Sequence, residues 1–174
     1  MTVYREEIKG IQSKGGSPTY VNITAEVKEI IAKSGIKDGV VHVISPHTTC
    51  AVFFEEYVHD EMPNGKEFIQ QDLDNCLAKI IPDQTAWGQY FYPGVKHFEE
   101  VESWADYLKY LPSGTREELF NADAHLRSTI IGSSQTFAVE DGKLGVGQTG
   151  YVYFVDFDRT HPRQRRCKVV VMGE

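Results

Sequence analysis

Apolar and polar positions along the chain predict strands near both ends and helices between them. Residues 1–14 mix apolar and charged side chains, and Thr2–Gln12 reads as a strand that ends at the turn Gly15-Gly16-Ser17-Pro18. Residues 19–23 read as a short second strand or as the approach to a helix, with Asn22 or Thr24 available to cap the next element. In 25–34, Val27, Ile30 and Ile31 recur at helical spacing, and Gly35 is a natural stop. After the turn Lys37-Asp38-Gly39, the β-branched run 40–44 has the character of a buried strand. The polar string Ser45-Pro46-His47-Thr48-Thr49 interrupts it, and 50–54 resumes as a second apolar strand. Glu55, Glu56, His59, Asp60 and Glu61 then read as an acidic loop. Residues 68–81 place Phe68, Ile69, Leu73, Leu77 and Ile80 on one helical face, closed by Pro82.

Residues 83–120 are aromatic and irregular, too long for a plain connection, and predict a helix near 101–110 that lines or covers a pocket. Next comes Asn121-Ala122-Asp123-Ala124-His125-Leu126-Arg127-Ser128, which packs an amide, a carboxylate, an imidazole and a guanidinium into eight residues. It reads as a helix start capped by Asn121 or Asp123. Asp123, His125 and Arg127 fan over a wide arc of that helix, so all three can touch one ligand only at its mouth. The plainer alternative is a solvated, capped helix start with one core-side histidine. Strands at 135–139, 151–156 and 168–172 complete the pattern, with a hairpin at Asp141-Gly142 and a basic turn over 159–166.

Totals narrow this picture. At 174 residues and 41% hydrophobic content, with no repeat or dividing linker, the chain predicts one domain, 1–174. The net charge of -7 argues against a nucleic-acid binder, although Arg159, Arg163, Arg165, Arg166 and Lys168 form a local basic cluster. There is no signal-peptide pattern at the N-terminus and no apolar run of the roughly 20 residues that a membrane span needs. Cys50, Cys76 and Cys167 are scattered and odd in number, which fits a reducing, cytoplasmic setting without a disulfide framework. Hydrolysis through Cys50 or Cys167 lacks an activating histidine beside either residue in the sequence.

Three clusters carry candidate chemistry: the 45–49 string, the octet around His125, and Gly147-Gln148-Thr149-Gly150 with the downstream arginines. Hydroxyls, glycine amides and arginines suit phosphate oxygens; histidines and carboxylates suit a divalent metal or proton transfer. No HExxH, Walker loop or dinucleotide fingerprint is present.

The strings Ser45-Pro46-His47-Thr48-Thr49-Cys50-Ala51 and Ala124-His125-Leu126-Arg127-Ser128-Thr129-Ile130-Ile131-Gly132-Ser133-Ser134, in order with the segments 141–147 and 151–166, resemble the YjbQ family. Its members are often described as secondary thiamine-phosphate-synthase-type proteins. The resemblance runs from about residue 40 to the C-terminus, and more loosely through the N-terminal third. It implies an α+β fold: an antiparallel curved β-sheet or sandwich with helices packed on one side, assembled as a homotrimer with pockets near subunit contacts. It also implies catalytic roles for His47, His125 and Asp123. Thr48, Thr49, Arg127, Gly147, Gln148, Thr149, Arg163 and Arg165 would bind a small phosphorylated substrate. His47, His97 and His125 would hold a divalent metal, zinc or magnesium. The implied activity is a thiamine-phosphate-synthase-like transfer; the alternative is a non-catalytic metal- or ligand-binding homotrimer. This chain departs from the family at Glu55-Glu56, in the short 147–150 segment and in the long 83–120 segment, all expected to surround the pocket.

Overall fold

The β-branched runs pair into two antiparallel sheets. The computed structural model describes residues 1–174. The larger sheet has the order β1-β8-β3-β5-β6, built from β1 (Thr2–Gln12), β3 (Gly39–Ile44), β5 (Ser134–Glu140), β6 (Lys143–Gly145) and β8 (Gln164–Gly173). The smaller has the order β2-β7-β4, built from β2 (Thr19–Asn22), β4 (Cys50–Glu56) and β7 (Gly150–Asp156). The C-terminal strand lies between β1 and β3, with Val171 opposite both Tyr4 and Val41. The register of β1 on β8 shifts between Ile8 and Ile11, where Gly10 takes a positive φ of 75°. This is a bulge of the kind that curves a sheet. The β5–β6 hairpin closes through Asp141 and Gly142, both at positive φ, as the Asp-Gly pair predicts.

Period-two alternation sends the two faces of the small sheet into different cores. Cys50, Val52, Val152 and Phe154 face the large sheet and α1 (Thr24–Ser34), whose Val27, Ile30 and Ile31 fill the space between the sheets. Ala51, Phe53, Tyr153 and Val155 face outward and are covered by α2 (Phe68–Ile80) and α4 (Ala122–Ile131) through Leu77 and Ala124. The sequence expectation of an α+β fold with curved antiparallel sheets and packed helices therefore holds. No helix is long and apolar enough to cross a membrane.

The 83–120 segment has a small core of its own: Phe98, Val101, Leu111, Leu119 and Phe120. Its helix, α3, spans Val95–Ser103, not the expected 101–110. Pro93-Gly94 breaks the chain and sets the start earlier, and only a single 3₁₀ turn, Tyr107–Lys109, comes after it before residue 110. Two further expectations are corrected. Glu55 and Glu56 end strand β4 instead of forming a loop, paired with Tyr151 and Gly150. The basic turn is also shorter than expected, because Arg165 and Arg166 already lie in β8.

Candidate functional site

The break between β3 and β4 is shaped by its own polar groups. Ser45 Oγ accepts the His47 N–H at 3.2 Å, and the His47 carbonyl accepts the Cys50 N–H at 3.2 Å. This tight bend carries His47, Thr48 and Thr49 to one end of the small sheet. At the same end β7 finishes in Asp156 and, one residue past Phe157, Asp158. Both carboxylates are almost fully buried.

Each buried carboxylate holds an arginine. Arg165 donates Nε to Asp156 Oδ2 at 2.7 Å and Nη2 to Oδ1 at 3.2 Å and to Thr49 Oγ1 at 3.0 Å. Arg163 Nε lies 3.1 Å from Asp158 Oδ2. Asp158 also accepts the Thr160 hydroxyl at 2.6 Å, the Thr160 N–H at 3.0 Å and Asn121 Nδ2 at 3.1 Å. Burial pushes the Asp158 carboxyl up, but Arg163, Thr160 and Asn121 together outweigh it and hold the pKa below the usual value. Asp158 is therefore a carboxylate, fixed in place. These contacts use Nε of Arg163 and Nε and Nη2 of Arg165. The two terminal nitrogens of Arg163 and Nη1 of Arg165 are left for a ligand.

Those groups line a cavity of about 290 Å³. His47, Thr48 and Thr49 form one wall, His125 and Asn121 of the α4 end a second, and Asp158, Arg163 and Arg165 a third. The 83–120 segment supplies the rest, with Tyr92 and His97 beside the imidazoles and an apolar wall that includes Val101, Trp104 and Tyr110. The Tyr92 ring sits between two histidines, 4.8 Å from the His97 centroid and 5.3 Å from that of His125.

The structure thus brings His47, Thr48, Thr49, His97, His125, Arg163 and Arg165 together. It does not bring in the others. Asp123 and Arg127 point to the opposite side of α4, into a buried network. Arg159 Nη2 donates to Asp123 Oδ2 at 2.8 Å, and Arg127 donates to the Ile81 carbonyl and to Asp83. The helical arc separates them from His125, as the spacing requires. Nor do Asn121 and Asp123 cap α4 with their side chains; Gln84 Oε1 accepts the Ala122 N–H at 2.9 Å instead. Gly147, Gln148 and Thr149 precede the opposite end of β7, roughly 20 Å from Asp156 at strand rise. The three histidines do not fit the expected metal centre. No group of three His, Cys, Asp or Glu side chains in this chain is placed to hold an ion. His47 Nε2 already accepts the Arg166 N–H at 3.2 Å, and His97 Nε2 pairs with the Tyr92 hydroxyl at 3.0 Å. Cys50 and Cys167 are buried, and burial raises both thiols, Cys167 to about 12, so neither serves as a nucleophile.

The sequence reading missed Asp156 and Asp158, taking the first as a strand end. Their signal was the run of acids at 156 and 158 followed directly by arginines.

Burial lowers the pKa of His47, helped by Arg165, and of His125, where Asp158 and the Thr48 backbone oppose it only in part. His161, in the turn before Arg163, is lowered chiefly by burial and then by Arg163. All three are neutral at pH 7. The unfolded chain binds their protons more readily, so their contribution is full above the unfolded value of 6.5 and is lost as pH falls below it toward the folded values. The urea midpoint is expected to drop between about pH 7.5 and pH 5.5, and His125→Gln to flatten part of that drop. A wild-type midpoint that stays level would contradict this.

Comparisons with known proteins match nearly the whole chain. A family model described as UPF0047 protein YjbQ-like matches residues 9–174. A UPF0047 protein of Archaeoglobus fulgidus is 30% identical over 149 residues, 86% of this chain and 87% of that protein. One from Methanocaldococcus jannaschii is 28% identical over 154 residues, 88% of this chain and 85% of its own length. Among solved structures, a YbjQ-like protein of unknown function from Sulfolobus solfataricus superposes with a TM-score of 0.69 at 25% identity, covering 99% of both chains.

Proposed function

Because this chain belongs to the YjbQ-like UPF0047 family, we propose that its cavity binds a small phosphorylated molecule bearing a planar ring and serves a thiamine-phosphate-synthase-like transfer. One observation carries this reading. Arg165 is hydrogen-bonded to buried Asp156, Arg163 is ion-paired with buried Asp158, and both arginines line the same cavity as an aromatic wall. Guanidinium groups suit diphosphate oxygens, and Trp104 and Tyr110 suit the face of a heterocycle.

In such a transfer the bond between a pyrimidine-bearing methylene carbon and its diphosphate oxygen breaks, and the ring nitrogen of a thiazole acceptor bonds to that carbon. The bonding pair leaves with the diphosphate. Arg163 and Arg165 would stabilise the charge that gathers on the leaving oxygens. His47 and His125, neutral, would hydrogen-bond the groups around the reacting carbon without adding a competing charge. The pocket's fixed charges balance, two arginines against Asp156 and Asp158, so affinity would come from directed hydrogen bonds more than from net field.

The test supplies purified protein with a pyrimidine methyl diphosphate and a thiazole, with or without its own phosphate, and monitors product by chromatography. Calorimetry with inorganic diphosphate runs beside it. Product formation that His125→Ala abolishes supports the transferase. Diphosphate binding without product leaves the non-catalytic ligand-binding reading. Neither binding nor product overturns both.

A further inference from the structure

His47 reaches the cavity with its proton already assigned by the main chain. Strand β8 runs past the end of β3, whose last pair is Ile44 with Lys168. The register of β1 breaks opposite the same stretch, stepping from Ile8 with Cys167 to Ile11 with Arg165. Arg166 is therefore paired with neither neighbouring strand. Its N–H donates instead to Nε2 of His47, at 3.2 Å. A backbone N–H can only donate, so Nε2 is the bare nitrogen of the ring, and in the uncharged imidazole the proton sits on Nδ1. A second proton at Nε2 would set its hydrogen against that of Arg166. The other hydrogen bonds of His47 are made by its own backbone N–H and carbonyl, and Nδ1 makes none within the protein. The ring lines the cavity together with Thr49, Arg163 and Arg165.

The carboxylates at this end of the cavity leave a ligand nothing to donate to. Asp158 accepts twice from Thr160 and once from Asn121, and pairs with Arg163. Asp156 accepts twice from Arg165, from the Thr49 hydroxyl at 3.3 Å and from the Asp158 N–H at 3.1 Å. A carboxylate has about four lone-pair sites, so both are filled. The fixed groups left over are all donors: the terminal nitrogens of Arg163, Nη1 of Arg165 and the Nδ1–H of His47. We propose that these donors form one oxyanion subsite, in which His47 is an uncharged hydrogen-bond donor to a phosphate oxygen and a specificity-determining residue, not a proton acceptor. This rests on the phosphate-binding reading above and assigns its anion end. The bulge of β1 thereby serves the site: it leaves the Arg166 N–H that fixes the imidazole, and the imidazole adds a directed bond without a third positive charge.

The test joins a spectroscopic readout to binding. The ¹⁵N shifts of histidine-labelled full-length protein at pH 7.5 distinguish the N–H nitrogen of each ring from the bare one, with His47→Asn identifying the His47 signals. His47 is expected to carry its proton on Nδ1. Calorimetry with inorganic diphosphate then compares the parent with His47→Leu, which has no donor, and His47→Asn, whose amide nitrogen can take the place of Nδ1. Both variants leave the Arg166 N–H without its acceptor, so the difference between them isolates the donor. His47→Leu is expected to weaken diphosphate by about tenfold and His47→Asn to stay within about threefold of the parent. A proton on Nε2, an affinity that His47→Leu does not alter, or a His47→Asn loss as large as that of His47→Leu would each overturn the role of His47 while diphosphate binding by the parent still stood. No binding of diphosphate by the parent would overturn the cavity reading itself, and the subsite with it.

Discussion

Replacing Arg127 by methionine is expected to destabilise the fold by about 3–5 kcal/mol in urea unfolding while leaving diphosphate affinity within about threefold of the parent. The side chain is only 2% exposed. Its Nε and Nη2 donate to the Ile81 carbonyl at 3.2 and 2.6 Å, Nη2 also donates to Asp83 Oδ1 at 2.7 Å, and Nη1 lies 3.9 Å from Asp123 Oδ2. The guanidinium therefore ties α4 to the end of α2 and to the root of the 83–120 segment. Methionine fills much of the same volume, so little cavity cost is added. What remains is a buried carbonyl without its donor and a buried Asp123 left with Arg159 alone, the situation in which removing one partner costs most. A loss below about 1 kcal/mol would mean that Arg159 and Asp83 carry the network without Arg127. A large drop in diphosphate affinity with intact stability would mean that this arginine reaches ligand after all.

This contrast between Arg127 and the arginines of the cavity shows what could be read along the chain. Strands such as Val40–Ile44 and 151–156 were legible because buried β-branched runs have one physical explanation. The helix at 25–34 was legible because its apolar spacing and Gly35 agree. The candidate site was legible as residue types: His47, Thr48, Thr49, His125, Arg163 and Arg165 stood out as chemistry gathered in short strings, and they meet. Which side of α4 each charged residue faces was not legible. A helix with a polar mouth and a buried ionic network on its flank has the same composition as one with a single polar face, and only packing against α2 and Arg159 decides between them. Asp156 and Asp158 were passed over for a related reason: an acid after an apolar strand reads as the strand's solvated end. Here the β7 end is covered: both acids are buried and ion-paired with arginines that come after them, Asp156 with Arg165 and Asp158 with Arg163. The helix near 101–110 was misplaced because only the length of the segment argued for one, and length does not fix where Trp104, Tyr107 and Tyr110 fall. They instead hold a 3₁₀ turn and the cavity wall.

Arg163→Gln, by the same reasoning, is expected to behave in the opposite way to Arg127→Met: diphosphate affinity falls by about 10–100-fold while the fold persists. Its two terminal nitrogens have no acceptor in the protein and line the cavity. A charged hydrogen-bond donor contributes about 1.5–3 kcal/mol to such a contact, and about 1.4 kcal/mol corresponds to tenfold in affinity. Arg163 is a cleaner choice than Arg165. Removing Arg165 takes two hydrogen bonds from the buried Asp156 and one from Thr49, so weak binding in that variant would be confounded by local rearrangement. Removing Arg163 leaves Asp158 still accepting from Thr160 and Asn121, and glutamine can place an amide near the same oxygen. Calorimetry of the parent and variant at two salt concentrations separates the outcomes. A loss that shrinks at high salt identifies a direct charged contact, because exposed parts of such a contact are screened. Unchanged affinity at both concentrations would show that Arg163 serves only to pin Asp158, and the anion would then have to be held by Arg165 and the hydroxyls of Thr48 and Thr49.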